Sequence, residues 1–482
     1  MLPTIISSAD LHTLIPEMFV CAAAFALLMT DLFLSPQRRG LTHFLALLIL
    51  VAAAVLTARD MATGQAFAFD HMFVRDIASD VLKMGMYGIT ALVFLFAKPY
   101  LTDRDLFKGE FYALVLFALL GMMLMVSAGG LITLYLGLEL FALSSYGLVA
   151  MDRENPTASE AAMKYFILSS LASGMLLYGM SMVYGATSSL QLDAIYAAAA
   201  ASSERTMLMF GVVFMLVGIA FKFGAAPFHM WLPDVYDGAP TAVTVFIGSV
   251  PKLAAFGMAY RLLESGVGPV GYGWQLMLAW MAALSLVIGN VIALAQTNFK
   301  RMLAYSTISH VGFLFMGLAN ATNTGYAAAM FYAISYAIMA SAAFAAIILL
   351  SRRGFEADQI ADFRGLWRSN PLYALLVLFI MVSLAGVPPF LGFWAKLEVI
   401  KAALDGGMTW LAILSVIFAV VGAFYYLAVI KAMFFEEPQG DGPQVHTDTH
   451  LRVAFTINAA ALLVLGVFAE RIVMWCRLAF PV

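Results

Sequence analysis

Apolar runs of about 20 residues, long enough to cross roughly 30 Å of hydrocarbon as helices, recur along the whole chain between short polar connectors. They predict spans near 11–34, 41–58, 72–97, 110–128, 129–150, 159–185, 206–230, 240–263, 274–296, 302–319, 325–351, 371–403, 409–434 and 451–475, about 14 in all. The longest connectors, 185–205, 352–370 and 435–450, are too short to bury a core of their own, so no soluble domain is expected. The first run lies far from a basic stretch and lacks a small-residue cleavage site, which marks it as a span and not a removable signal. The pattern implies an all-α polytopic membrane protein.

Two of these runs carry helix breakers. Pro227 follows Gly224 in the seventh span, and Pro388 and Pro389 follow Gly386 in the twelfth. Proline removes a backbone donor and clashes with the preceding turn. Backbone carbonyls freed in this way are tolerated at membrane depth where they are buried in protein or line a hydrated cavity. The breaks also repeat: "GAAPF" at 224–228 returns as "GVPPF" at 386–390, and "AAMKYFI" at 161–167 returns as "AAMFYAI" at 328–334. The offsets, 162 and 167 residues, nearly agree. Spans four to eight therefore recur as spans nine to thirteen. Copies an odd number of spans apart insert upside down, the inverted-repeat plan of many transporters. The expected organisation is 1–109 for three N-terminal helices, 110–263 and 264–434 for the two five-helix repeats, and 435–482 for a last loop and helix.

Composition agrees with this setting, with 63% hydrophobic and 11% charged residues. A net charge of -3 gives no nucleic-acid signal. The two cysteines, Cys21 and Cys476, lie at opposite ends without a metal-binding spacing, so no iron-sulfur or haem site is expected in this chain. Arginine and lysine concentrate in alternate connectors, among them Arg38, Arg39, Arg104, Lys108, Lys300, Arg301, Arg352, Arg353, Arg364 and Arg368. By the positive-inside rule both termini then face outward.

A few charges fall inside spans, where each costs about 2.5–3.5 kcal/mol on insertion scales and reads as functional by default. Glu139 stands near mid-depth in the fifth span, too deep to snorkel. Lys222 and Lys252 lack an acidic neighbour three or four residues away; the alternative for each is to neutralise a buried carboxylate elsewhere. Lys164 follows Glu160 by four residues, so an interfacial ion pair explains it nearly as well as function does. Asp76, Asp80 and Lys83 read as solvation of a helix end. His229 and His310 fit either a polar path or ordinary buried histidines.

The stretch "KFGAAPFHMWLPDVYDGAPTAVTVFIGSVPKLAAF" at 222–256 resembles the antiporter-like membrane subunits of respiratory complex I, the NADH-quinone oxidoreductase. So do "LGLELFALSSYGL" at 136–148, "FKRMLAYSTISHVGF" at 299–313 and "GVPPFLGFWAKLEVI" at 386–400, and the resemblance covers essentially the whole chain. It implies a bacterial inner-membrane subunit that moves protons, partnered by sister membrane subunits, with flavin, iron-sulfur clusters and quinone held in partner chains. It implies no cofactor in this chain. By position, Glu139 matches a glutamate thought to pair with the lysine matched by Lys222. Lys252 matches a lysine at the membrane centre, and Lys396 a residue of the second half-channel that is glutamate in one sister subunit. Lys164, His229 and His310 match secondary positions on the proton path. Low dielectric disfavours a charged lysine and a nearby carboxylate favours it, so moving Glu139 relative to Lys222 would switch that lysine between holding a proton and passing it to Lys252. The break at Pro227 is expected to admit water beside Lys222. A cation/proton antiporter subunit of a multi-subunit exchanger shares these features, and a passive membrane anchor is the reading in which the charges do nothing.

Overall fold

The computed structural model describes residues 7–59, 61, 64–438 and 442–480. The outer ends of the expected first and last segments, and the tip of the connector 435–450, lie outside the described residues. The chain begins with α1 (Ser8–Thr13), α2 (Ile15–Leu32) and α3 (Gly40–Arg59), then a hairpin of β1 (Ala66–Ala68) and β2 (Phe73–Arg75), and α4 (Ile77–Asp103). There follow α5 (Gly109–Val126), α6 (Leu131–Val149), α7 (Pro156–Thr187), α8 (Leu192–Ala201), α9 (Arg205–Phe223), α10 (Trp231–Gly238) and α11 (Thr241–Tyr260). After a π-helical turn at Arg261–Gly266 come α12 (Gly271–Leu294), α13 (Phe299–Ala319), α14 (Asn323–Leu350), α15 (Leu366–Ser369), α16 (Pro371–Ala385), α17 (Leu391–Asp405), α18 (Thr409–Phe435), α19 (Thr449–Val467) and α20 (Ala469–Leu478).

Among the described residues, 13 helices are long and apolar enough to cross a membrane. The fourteenth expected crossing is the twelfth, 371–403, which the structure divides into α16 and α17, each 15 residues long. The seventh is divided as well. It was expected to run to residue 230, but helix α9 ends at Phe223 because Gly224 adopts φ 74° and ψ 35°. Gly386 ends α16 in the same left-handed conformation, φ 88° and ψ 45°. That backbone strains any side chain with a Cβ, which accounts for glycine at both positions.

The third span is shifted from its expected place. Phe73–Arg75, apolar enough to be counted in the helix, pairs instead with Ala66–Ala68. Asp76 then caps α4, accepting from Ser79 N at 2.9 Å, and α4 continues to Asp103.

Connectors gather on two faces. On the basic face, Arg104 pairs with Glu356, Arg353 with Asp105 at 3.0 Å, and Asn298 with Asp358 at 3.0 Å. On the opposite face, Leu192 N donates to Gly129 O at 2.9 Å and Tyr326 to Glu264 at 2.6 Å. Helix α11 lies wholly inside the bundle, with α13 and α14 nearly as enclosed, whereas α2, α3 and α18 expose most of their surface. Without a water interface to penalise it, that exposed apolar surface is what a bilayer solvates.

Candidate functional site

The two broken helices are each met by a lysine from elsewhere. Phe223, the last residue of α9, offers its carbonyl to Lys252 Nζ on α11 at 2.7 Å. Leu384 and Ala385, the last residues of α16, accept from Lys396 Nζ on α17 at 3.0 and 2.8 Å. A helix end leaves its final carbonyls without intrahelical partners and carries partial negative charge. A lysine placed there satisfies the carbonyls while the carbonyls stabilise its charge. The sequence assigned the first break to Lys222, its neighbour along the chain. In the folded chain Lys252 occupies it.

Pro251 helps to shape this part of α11. It has no N–H to give to the Ile247 carbonyl four residues earlier, and the Tyr236 hydroxyl of α10 donates to that carbonyl instead, at 3.1 Å. The piece of chain beyond the first break thus repairs the helix that carries Lys252.

Lys222 turns toward α7 and donates to Ser169 Oγ at 3.2 Å, with its ammonium 5.1 Å from the centre of the Phe141 ring. Glu139 on α6 accepts from Ser173, which also lies 3.2 Å from the Tyr135 hydroxyl. Ser169 and Ser173 are one helical turn apart on the same face of α7. The carboxylate and the ammonium therefore rest on two successive serines of α7, a serine ladder one turn in height, and make no direct ion pair among the described contacts. The two serines were not singled out in the sequence; the cue was "LSSLASG" at 168–174, small polar residues at helical spacing inside an apolar run.

Lys222, Lys252, His310 and Lys396 are all buried. Lys396 lies 5.2 Å over the Phe313 ring, and Phe313 is one turn from His310 on α13. His310 is held at both ring nitrogens, by Tyr332 at 2.7 Å and Tyr426 at 3.1 Å. Glu139 and His229 are only partly buried in this chain. Lys164 stands apart from the buried row: its side chain is 43% exposed, and it bridges Glu160 at 2.9 Å and Asp234 at 2.8 Å. Asp234 is shared with Arg301 at 3.1 Å. The local pair expected from the i, i+4 spacing is present, and α10 adds a second carboxylate to it.

The cluster expected to solvate a helix end is instead a buried ion network, which corrects that reading. Lys83 pairs with Glu17 of α2 at 2.6 Å, Arg75 with Asp80 at 3.1 Å, and Arg261, beyond α11, with Asp76 at 2.8 Å. All six side chains are buried, and Arg75 also donates to the Thr57 carbonyl at 2.9 Å. Local spacing showed Asp80 beside Lys83, but it could not show Glu17 or Arg261, which come from distant helices.

Comparison with known proteins places these features in a family. A family model described as NADH:quinone oxidoreductase/Mrp antiporter, transmembrane, matches residues 128–422, which contain both broken helices and all the buried lysines of the row. NADH-quinone oxidoreductase subunit N of Xanthomonas euvesicatoria pv. vesicatoria (strain 85-10) is 55% identical over 475 residues, 98% of this chain and 97% of that protein. Among solved structures, a chain of respiratory complex I from Thermus thermophilus superposes with TM-score 0.81 at 31% identity, covering 95% of this chain and 99% of its own. A chain of the Mrp complex from Dietzia sp. DQ12-45-1b reaches TM-score 0.84 at 22% identity over 97% of each chain, a likeness of fold alone. The chain belongs to the antiporter-like membrane subunits of NADH:quinone oxidoreductase, within the group of its subunit N relatives.

Proposed function

We propose that this membrane subunit translocates protons along a buried row formed by Glu139, Lys222, Lys252 and Lys396, with His310 as a link, and that NADH oxidation and quinone reduction take place in partner subunits carrying the flavin and iron-sulfur clusters. The observation that carries this reading is the bonding of the three lysines. Lys222 is met by a serine hydroxyl, and Lys252 and Lys396 by helix-terminal carbonyls. A buried ammonium locked to a carboxylate stays charged, because removing its proton strands the carboxylate. An ammonium met by neutral dipoles can lose its proton and leave no charge behind.

The serine ladder supplies a means of control. Glu139 rests on Ser173 one turn from the serine that holds Lys222, so a small displacement of Glu139 along α7 alters the field at Lys222. Coupling of this size needs only about 1–3 kcal/mol. Lys164 and His229, both partly exposed, fit the rim of the path better than its buried middle. The two repeats, 110–263 and 264–434, each contribute one broken helix and one capping lysine, although the capping lysine of the first comes from the following helix and that of the second from the broken helix itself. Placement in a bacterial inner membrane is supported by the bacterial relatives and both termini on the periplasmic side by the basic connectors, and both belong to the same proposal.

The family model spans both complexes and the exchanger chain is a likeness of fold alone, whereas the relative at 55% identity is an NADH-quinone oxidoreductase subunit. The test is Lys222→Ala. Protons pumped per NADH oxidised, measured in membrane vesicles matched for complex content, should fall severalfold while the complex assembles. Wild-type pumping would remove Lys222 from the row.

A further inference from the structure

His310 is the one imidazole of the buried row, and its surroundings are richer than a link between two lysines requires. Tyr332 of α14 meets Nδ1 at 2.7 Å and Tyr426 of α18 meets Nε2 at 3.1 Å. The Tyr426 hydroxyl is bonded in turn to Ser306 Oγ. All four residues are buried, at 4% exposure or less. The file Ser306, Tyr426, His310, Tyr332 is a continuous hydrogen-bonded chain in which every member can both give and accept a proton.

Its two ends point to different places. Helix α13 starts at Phe299 beside Lys300 and Arg301 on the basic face, and Ser306 lies about 6 Å nearer that face than His310, at 1.5 Å per residue. Tyr332 lies the other way, stacked on Phe313 at 5.8 Å, and Phe313 carries Lys396 on its face. The chain therefore joins the Lys396 side of the row to the half of the second repeat that faces the basic connectors, and it passes neither Lys222 nor Lys252.

We propose that Tyr426 and Ser306 form a side branch of the proton path, entering the row at His310. The inference rests on the row proposed above and extends it. A neutral imidazole carries one ring proton, so of the two tyrosine hydroxyls one donates to the ring and the other accepts from it. Take the proton to be on Nδ1, with Tyr426 donating to Nε2. A proton arriving at Ser306 lets Ser306 pass its own proton to the Tyr426 oxygen as Tyr426 gives its proton to Nε2. The imidazolium then releases its Nδ1 proton to Tyr332, whose own proton leaves toward the row, where Lys396 in its neutral form is the base that takes it up. One proton has entered, one has left, no charge remains, and each hydroxyl is reversed. The ring now carries its proton on Nε2, so the chain is ready for a second proton in the same direction once the imidazole flips and the hydroxyls turn back, and from this state the same steps run in the opposite direction.

Tyr426→Phe keeps the ring and deletes the oxygen that joins Ser306 to His310 among the described residues. Within the intact complex in vesicles, this variant should pump severalfold fewer protons per NADH oxidised and lose part of the solvent deuterium dependence of pumping. Ser306→Ala should behave in the same way and Ser306→Thr should restore pumping, because only the hydroxyl matters to the relay. Tyr112→Phe is the matched control: it deletes a buried hydroxyl bonded to His43 at 3.0 Å, away from the row, and should pump normally. If Tyr426→Phe fails to assemble, the Ser306 pair decides: loss with alanine and recovery with threonine support the branch, and equal pumping by both overturns it. Normal pumping by Tyr426→Phe alongside a defective Lys222→Ala removes the branch and leaves the row standing. Normal pumping by both variants removes the row as well.

Discussion

Two regions of this molecule bury charge in opposite ways. At the N-terminal helices, three carboxylates meet three cations: Glu17 with Lys83, Asp80 with Arg75, and Asp76 with Arg261. Along the central row, three lysines meet a hydroxyl and three backbone carbonyls, with one carboxylate set a helical turn away. The first arrangement is balanced, so moving a proton in either direction creates an unpaired charge. The second is balanced only when some of its lysines are neutral. Burial is shared by both regions. On the proposed reading, what separates the structural ion cluster from the row is whether the partner of the cation is itself charged.

The comparison can be broken most severely at Lys83. Lys83→Met leaves the Glu17 carboxylate buried without its partner, a loss of about 3–5 kcal/mol for a broken buried pair. Quantitation of assembled complex in the membrane should show a large deficit. Adding Glu17→Gln should recover much of it, because the stranded charge is then gone. Lysine substitutions in the row should do the reverse, sparing assembly and reducing pumping. Equal assembly defects in Lys83→Met and Lys222→Ala would erase the distinction.

A second measurement concerns the serine ladder. Glu139→Gln should lower pumping, and its combination with Lys222→Met should cost less than the two single effects added as free energies, since coupled groups are not independent. Strict additivity in vesicle pumping assays would mean that the two residues act separately.

The smallest effect is expected at Lys396, where the chemistry can be exchanged without being removed. Lys396→Glu keeps a titratable group beside the end of α16, although a carboxylate is disfavoured by the Leu384 and Ala385 carbonyls that now accept from the lysine. It should retain part of the pumping that Lys396→Ala loses. An alanine variant equal to wild type in protons pumped per NADH would make Lys396 a structural cation.

Much of this was legible along the chain. Runs of apolar residues marked the spans, Gly224 and Gly386 with their prolines marked the two breaks, and an ionisable residue deep in a lipid-length helix marked Glu139, Lys222 and Lys252, while Lys396 was marked by the family resemblance. These are one-dimensional properties, because the cost of placing a residue in hydrocarbon depends on the residue and its depth. The Lys164–Glu160 pair was legible for the same reason, since a helix brings residues four apart together.

Partnership was not legible. Lys252 reaches the carbonyl of Phe223, Lys83 reaches Glu17, and Tyr332 and Tyr426 converge on His310 from two other helices. Helix periodicity carries no information about which faces of separate helices will meet. The expectation that Lys222 serves the break beside it, and that Asp80 and Lys83 merely solvate a helix end, both assigned the nearest partner in sequence. By itself the sequence determined that charges would be buried, where along the chain they stand and where helices must end. Only the tertiary packing decided whether each charge would face a countercharge or a neutral dipole, and in a medium of low dielectric that choice separates a fixed ion from one that can give up its proton.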